Sequence, residues 1–400
     1  MRRREFLGTA LAAAAPVQGA SRKKIAALST TYHVRSHSDN FITRFLEGYW
    51  IGEKYYEPPH PIVSLYMDQV HPADIGRRLA SAYGFPVKPS IREALMLGTG
   101  KLAVDGVLLI AEHGNYPHNE KNQQLYPRFE FFEQVVKVFR ESSRSCPVFV
   151  DKHLSYDWKE ARQMYDWSRE WKFPLMAGSS VSVTFRRPEL DPSLGSPMET
   201  ALSVGSGWVG DGGIFHNLEA LQAFVERRQG GEVGVRAVQH LAGDAVWKAA
   251  EEGAWSKQLM YAALKRGLKV KPGRPEDVKN PVLCLLEYRD GFRAGVIMLP
   301  GLVSEYLVAV KLKNRPEPDA TLCYIPIENS NNFSPLVHAI SRMFETGERL
   351  IPAERTLLTT GALAALMESA YQGHKKIETP ELSIAYKASR QSYFAHGVGS

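Results

Sequence analysis

Residues 24–34 read Lys24-Ile25-Ala26-Ala27-Leu28-Ser29-Thr30-Thr31-Tyr32-His33-Val34. A short β-prone apolar run this early in an alternating α/β chain predicts the first strand of a doubly wound sheet. Such a strand ordinarily runs into G-x-G-x-x-G, because a Cβ at those positions keeps the backbone away from a pyrophosphate. Here the three positions hold Ser29, Thr31 and Val34, followed by His33-Val34-Arg35-Ser36-His37-Ser38-Asp39. The stretch predicts a dinucleotide-type architecture in which the part that grips the dinucleotide has been rewritten.

Outward from this strand, elements alternate as far as Gly178. Ile62–Met67 reads as a second strand, closed by Asp68. The nearly continuous apolar run Val104–Ala111 reads as a strand buried on both faces, and Val148–Val150 and Leu175–Ala177 as two more. Helical spacing covers Phe41–Tyr49, Pro72–Tyr83, Ser90–Leu97, Phe129–Arg140 and Asp157–Trp171, the last opened by an Asp157-x-x-Glu160 capping box. This predicts a Rossmann-like parallel sheet. After a Pro- and Gly-rich crossing the strands lengthen: Thr200–Val204, Val233–Leu241, Val282–Tyr288, Ala294–Leu299, Tyr306–Leu312 and Thr321–Ile325. Asp290-Gly291 marks a hairpin; helices are expected at 214–228, 246–266 and 352–372. The expected fold is therefore α/β: a doubly wound parallel domain over 21–187, then an α+β domain over 188–400. The second carries an open, mostly antiparallel sheet, and its C-terminal helix docks back on the body.

The 400 residues are 44% hydrophobic and 23% charged, with a formal charge of +6 to which the leader's arginines contribute. A charge so small and dispersed argues against a nucleic-acid partner. Residues 1–20 open Met1-Arg2-Arg3-Arg4-Glu5-Phe6-Leu7 and continue as a short run of small apolar residues. They read as a twin-arginine signal for export, folded, to a periplasmic or extracellular location. That run is well short of the roughly 20 residues a membrane span needs. Cys146, Cys284 and Cys323 are too few for a disulfide scaffold and read as buried thiols, with a Cys284–Cys323 bridge as the alternative.

The order and spacing of several segments resemble the glucose-fructose oxidoreductase, inositol dehydrogenase and MocA family over most of residues 24–390. Asp105-Gly106-Val107-Leu108-Leu109-Ile110-Ala111 with His118 beyond it resembles the family's strand-four segment. Val150-Asp151-Lys152-His153 stands where the family has Glu-Lys-Pro, so Lys152 matches its sugar-facing lysine. Gly212-Gly213-Ile214 and the region 347–369 resemble the opening of its substrate-domain helix and its terminal helix. The resemblance implies an NAD(P) domain, a sheet domain, and a sugar or polyol bound at their junction. The departures fall on functional positions: the phosphate-loop glycines are gone, and His216 and Ala220 replace the Asp and His of the family's Asp-x-x-x-His.

In an open α/β sheet, ligands gather beyond the carboxyl ends of the strands. Residues expected there are His33, Arg35, His37 and Asp39 after the first strand, Glu112, His113, Asn115 and His118 after the fourth, and Asp151, Lys152 and His153 after the fifth. Three functional assignments follow. Lys152, His153, His216 and Glu112 are candidates for acid/base catalysis. Ser29, Thr31, His33, Asp68 and His118 are candidates for cofactor binding, and His33, His37 and His113 for a divalent metal. The cofactor is left open between a metal and a tightly held NAD(P). The favoured function is lyase- or epimerase-type chemistry on a carbohydrate. The alternatives are an NAD(P)-dependent sugar or polyol oxidoreductase with a rebuilt phosphate loop and a non-catalytic sugar-binding protein. A homo-oligomer formed through the C-terminal sheet is a further expectation.

Overall fold

A computed structural model describes residues 22–205, 210–313, 315–326 and 328–397. The leader read in residues 1–20 lies outside the described residues. The strands of the first half are β1 (Ile25–Ser29), a small hairpin of β2 (Tyr49–Ile51) and β3 (Lys54–Tyr56), then β4 (Ile62–Met67), β5 (Val87–Lys88), β6 (Gly106–Ile110), β7 (Val148–Asp151) and β8 (Leu175–Gly178). Six of them form one sheet in the order β5-β4-β1-β6-β7-β8, with every pairing parallel. The order reverses at β1, so the crevice above the carboxyl ends of β1 and β6 is the topological switch point.

Both faces of this sheet are covered, which is why its strands read as unbroken apolar runs. Ala26, Leu28, Val107 and Leu109 face α3 (Ile91–Met96), α4 (Arg128–Ser142) and α5 (Trp158–Glu170) in one buried cluster. Ile25, Ala27, Leu108, Ile110 and Phe149 face the other way. There they meet Phe41, Phe45 of α1 (Arg44–Glu47), Leu79 of α2 (Gly76–Tyr83), and Leu336, Ile340 and Phe344 of a later helix.

The second half adds β9 (Phe185–Arg187), β10 (Met198–Gly205), α6 (Asp211–Val225), β11 (Val235–Ala242), α7 (Asp244–Glu251), α8 (Lys257–Leu264), β12 (Val282–Tyr288), β13 (Arg293–Met298), β14 (Tyr306–Leu312), β15 (Asp319–Tyr324), α9 (Ser334–Thr346), α10 (Ala353–Tyr371) and β16 (Ile377–Glu378). Its eight-stranded sheet runs β16-β11-β12-β13-β10-β14-β15-β9. The β10–β13 pair is parallel and the remaining pairs are antiparallel. The sheets part company between Gly178 and Phe185.

Several expectations are corrected locally. The helix expected over 246–266 is two, because Gly253 takes φ +75° and Ser256 caps a fresh start by accepting from the Leu259 amide. The helix expected over 41–49 begins at Asp39 as a π-type turn and ends at Glu47, where Gly48 (φ +80°) turns the chain into the β2–β3 hairpin. Asp157 does cap α5, accepting from Lys159 and Glu160 amides. Glu160 completes no reciprocal bond there; it accepts from Ser155 Oγ at 2.6 Å instead. Helix α9 was not read from the sequence. It follows the second sheet yet returns to cover the first, where Phe344 packs on Ile25 beside Gly106. Helix α10 docks against the body as expected, with Thr356 Oγ1 donating to the Ala177 carbonyl (2.9 Å) and Thr360 Oγ1 accepting from the Leu154 amide (3.2 Å). All three cysteines are buried and free. Among the described residues no helix is long and apolar enough to cross a membrane.

Candidate active site

The loop after β1 uses up its own amides. Instead of turning at once into a helix, the chain continues beside the segment after β4: the Asp68 and Gln69 amides donate to the Ser29 and Thr30 carbonyls, and the Ile75 amide to Tyr32. It then turns at Arg35 (φ +64°). Ser36 Oγ accepts from the His33 and Asp39 amides (both 3.2 Å) and Asp39 Oδ2 accepts from the Arg35 amide (2.8 Å). The Ser36 and Asn40 amides donate to the His33 and Ser36 carbonyls. A pyrophosphate is held at such a turn by free amides at a helix start. Here five of them are satisfied internally, one of them by the Asp39 carboxylate. Ser29 is likewise committed, donating to the Thr31 carbonyl at 2.9 Å and lying 2.5 Å from Ser38 Oγ.

Beyond β6 and β7 a charged cluster is buried. Glu112 accepts from Lys152 Nζ at 2.5 Å through one oxygen and from Arg128 Nη2 at 2.5 Å through the other. All three side chains are almost fully buried. Burial alone would push the Glu112 carboxyl up; Lys152, then Arg128, outweigh it and hold the group well below the usual carboxylate range. Lys152 reaches this position because its backbone adopts φ +65°, and His113 takes φ +68° at the end of β6. A left-handed conformation at a non-glycine residue is costly and is found preferentially at functional sites. Arg128 Nη1 lies 3.3 Å from His153 Nε2. A guanidinium only donates, so Nε2 is the acceptor and the His153 proton sits on Nδ1. His153 is buried against Phe215 and its pKa is driven well down, by burial first and Arg128 second.

Two further histidines face the crevice in oriented pairs. His37 Nδ1 is 2.6 Å from Oδ2 of Asp151, a buried carboxylate at the end of β7. The carboxylate accepts a hydrogen bond from Nδ1–H, which orients the ring with Nε2 on the side away from Asp151. His216 Nδ1 is 2.6 Å from Ser179 Oγ, and that hydroxyl already accepts from the Val181 amide at 3.1 Å. The hydroxyl oxygen keeps a second lone pair, so this contact fixes the orientation of the His216 ring and is compatible with either tautomer. Burial first, then Lys152, keeps His216 neutral. Ser179 is fixed in turn by Glu219, which accepts from its amide (3.3 Å) and from Thr359 Oγ1 (2.6 Å). Burial raises the Glu219 carboxyl.

The structure thus brings Glu112, Lys152 and His153 into one network, with His216 and His37 in dyads of their own. It treats the other expected site residues differently. His118 is exposed in the loop, bridged through its backbone to Gln124. Asp68 is exposed too, and its oxygens are engaged by Tyr116 (2.6 Å) and Tyr66 (3.0 Å) rather than open to a ribose. Thr31 is buried, and its Oγ1 has no partner among the described residues. The metal expectation at His33, His37 and His113 is corrected: among the described residues no group of three or more His, Cys, Asp or Glu side chains is placed to hold a metal ion. The rings are neighbours, with centroids 5.7 Å (His33–His113) and 5.3 Å (His37–His113) apart. Their nitrogens do not converge, because His37 Nδ1 is spent on Asp151 and His33 Nδ1 lies against the Val34 carbonyl at 3.1 Å.

The sequence reading missed Arg128, Ser179 and His71, whose ring lies 4.1 Å from that of His33, tilted by 31°. Arg128 had a legible signal. It falls on the apolar stripe of α4 with Phe131, Phe132 and Val135, at a helix start where the macrodipole disfavours a cation.

No family model and no curated protein matches the chain by sequence. Solved structures do match it by shape. GenD2 from gentamicin A biosynthesis, solved in complex with NAD, is 13% identical, with a TM-score of 0.55 over 89% of this chain and 96% of that one. The myo-inositol dehydrogenase of Lactobacillus casei, in complex with NAD(H) and myo-inositol, is 12% identical, with a TM-score of 0.55 over the same shares. A probable dehydrogenase from Thermotoga maritima is 11% identical, with a TM-score of 0.54 over 90% and 99%. The chain shares the two-domain fold of these oxidoreductases.

Proposed function

We propose that this chain is a divergent member of the glucose-fructose oxidoreductase and inositol dehydrogenase family, exported through its twin-arginine leader, that acts on a carbohydrate by proton transfer rather than by nicotinamide hydride transfer. The observation that carries the reading is the 2.6 Å His37–Asp151 pair, whose carboxylate immediately precedes Lys152 in the chain. An imidazole held in one tautomer by a buried carboxylate is a general base with its Nε2 presented outward. In this reading His37 removes a proton from the carbon beside a sugar carbonyl. The Lys152 ammonium, held by Glu112, stabilises the negative charge that develops on the oxygen. Neutral His216, in the tautomer that carries its proton on Nε2, donates to the same or a neighbouring oxygen. Arg128, His153, Ser179 and Glu219 hold these groups in place. The self-satisfied loop over residues 33–40 supports a reaction without a dinucleotide.

A second reading is favoured by the fold likeness to structures solved with NAD: an NAD(P)-dependent sugar or polyol oxidoreductase in which the His37–Asp151 pair takes the hydroxyl proton. Two measurements separate them. Incubation with aldoses, ketoses and uronates in D₂O without nucleotide is expected to place deuterium beside the carbonyl of a substrate sugar. His37→Gln and Lys152→Met are each expected to slow the exchange by about 100-fold or more. Exchange that needs added NAD⁺, or micromolar NAD⁺ binding by calorimetry, overturns the first reading in favour of the second. Exchange unaffected by either substitution overturns the assigned roles.

A further inference from the structure

The strongest unassigned feature is a cleft of about 520 Å³ between the segments that follow β1, β4 and β6. Its walls are Thr31 and His33, then Gln69, Val70, His71 and Pro72, then His113, Gly114 and Asn115. This volume lies within the range of small-molecule sites. Three observations define what it can hold. Among the described residues no Asp, Glu, Lys or Arg lines it. Two of its lining residues each carry a buried polar atom, Thr31 Oγ1 and His113 Nε2, with no hydrogen-bond partner among the described residues. Thr31 is 2% exposed and belongs to the cleft's lining. The rings of His33 and His71, 4.1 Å apart and tilted by 31°, supply one aromatic wall.

Orphaned buried donors and acceptors are rare because each forfeits its hydration without replacement. Two of them on one cavity point to a ligand that supplies both a donor and an acceptor over a short span. A hydroxyl does both. A pyrophosphate offers only acceptors and a charge for which the walls hold no cation. Gly114 (φ +108°) and the paired Gln69 and Asn115 (2.9 and 3.2 Å) keep the rim in place. The cleft also joins the candidate active site: His113 is the ring neighbour of both His33 and His37. Burial, then the proximity of His37, lowers the His113 pKa to about 4, so its ring stays neutral there.

We propose that this cleft binds a neutral polyhydroxy group, a further sugar unit of the substrate, through Thr31, His113 and the His33–His71 wall. The proposal rests on the carbohydrate reading above and makes the substrate a neutral glycoside or oligosaccharide rather than a free monosaccharide. Thr31 and His71 are then binding residues and not participants in the proton transfer.

The test is histidine-selective ¹⁵N NMR on the folded protein, with His33, His71 and His113 assigned by single substitutions. The probes are glucose, galactose, mannose, xylose and myo-inositol at 50 mM, against sodium pyrophosphate and NAD⁺ at 5 mM. At least one neutral probe is expected to move these three imidazoles, and the two anions are expected to leave them in place. Thr31→Val keeps the side-chain shape and removes the orphaned hydroxyl. It should weaken the effective sugar by about threefold to tenfold, the scale of one neutral hydrogen bond, with no loss of melting temperature. Shifts produced by pyrophosphate or NAD⁺, or no shift with any neutral probe, overturn the proposal, as does a Thr31→Val variant that binds unchanged. Lys152→Met keeps the two readings apart. If the cleft binds sugars while catalysis is insensitive to Lys152, only the proton-transfer reading falls. If catalysis depends on Lys152 but the cleft is silent, only the cleft assignment falls.

Discussion

Replacing Glu112 by glutamine should be among the most damaging single changes in this protein. Glu112 is bonded to both Lys152 and Arg128, at 2.5 Å each, and the three side chains are at most 6% exposed. The amide keeps the shape but removes the charge, so two buried cations face each other across a neutral group. Removing one partner of a buried pair costs about 3–5 kcal/mol. Glu112→Gln removes a charge that faces two cations at once, so the upper part of that range is expected. Arg128→Met leaves the Glu112–Lys152 pair intact and should cost less. Guanidinium unfolding of both variants and of the double variant, analysed as a cycle, gives the coupling directly. The pH dependence supplies a second reading. The folded carboxyl is held below its ordinary value, net of a burial effect that opposes this. Its stabilisation is therefore complete above the unfolded pKa of about 4.5 and is lost as pH falls below that. The gap between the parent protein and Glu112→Gln should be widest near neutrality and narrow in acid. A Glu112→Gln variant within about 1 kcal/mol of the parent at pH 7, or a gap that widens in acid, would refute the reasoning.

Gly178→Ala should destabilise by about 2 kcal/mol or more, since Gly178 takes φ +129° and a Cβ there would sit 2.5 Å from Glu219 Oε2; thermal melting checks it, and an unchanged Tm contradicts it. The three cysteines should resist an aromatic disulfide reagent until the chain unfolds, because burial pushes Cys284 up to about 12 and Cys323 up to about 11; fast labelling of the native protein would contradict this. Replacing Arg3 and Arg4 by lysine should hold the precursor in the cytoplasm, as read by fractionation, and unchanged export would remove the twin-arginine reading.

Much of the architecture was legible in the chain because it depends on short-range regularity. Unbroken apolar runs at Ile25–Leu28 and Val107–Ile110 announce strands covered on both faces, and their alternation with amphipathic helices fixes a parallel sheet. Once that sheet is granted, its switch point places Glu112, Asp151 and Lys152 at the carboxyl edge with no further information. The missing glycines at positions 29, 31 and 34 were visible for the same reason: they are a local pattern. What the pattern could not convey is which side chains meet. His37 and Asp151 are 114 residues apart, and Glu112 and Lys152 are 40 apart. Their pairing depends on loops whose course is set by left-handed residues at Arg35, His113 and Lys152, conformations that no periodicity encodes. The same loops turned an expected trio of metal ligands into an imidazole paired with a carboxylate and a pair of close, tilted rings, and brought Arg128 in from a helix start to complete the charged core. Helix α9 makes the same point for the fold, since an amphipathic stripe specifies that a face must be buried but not which of two sheets will bury it.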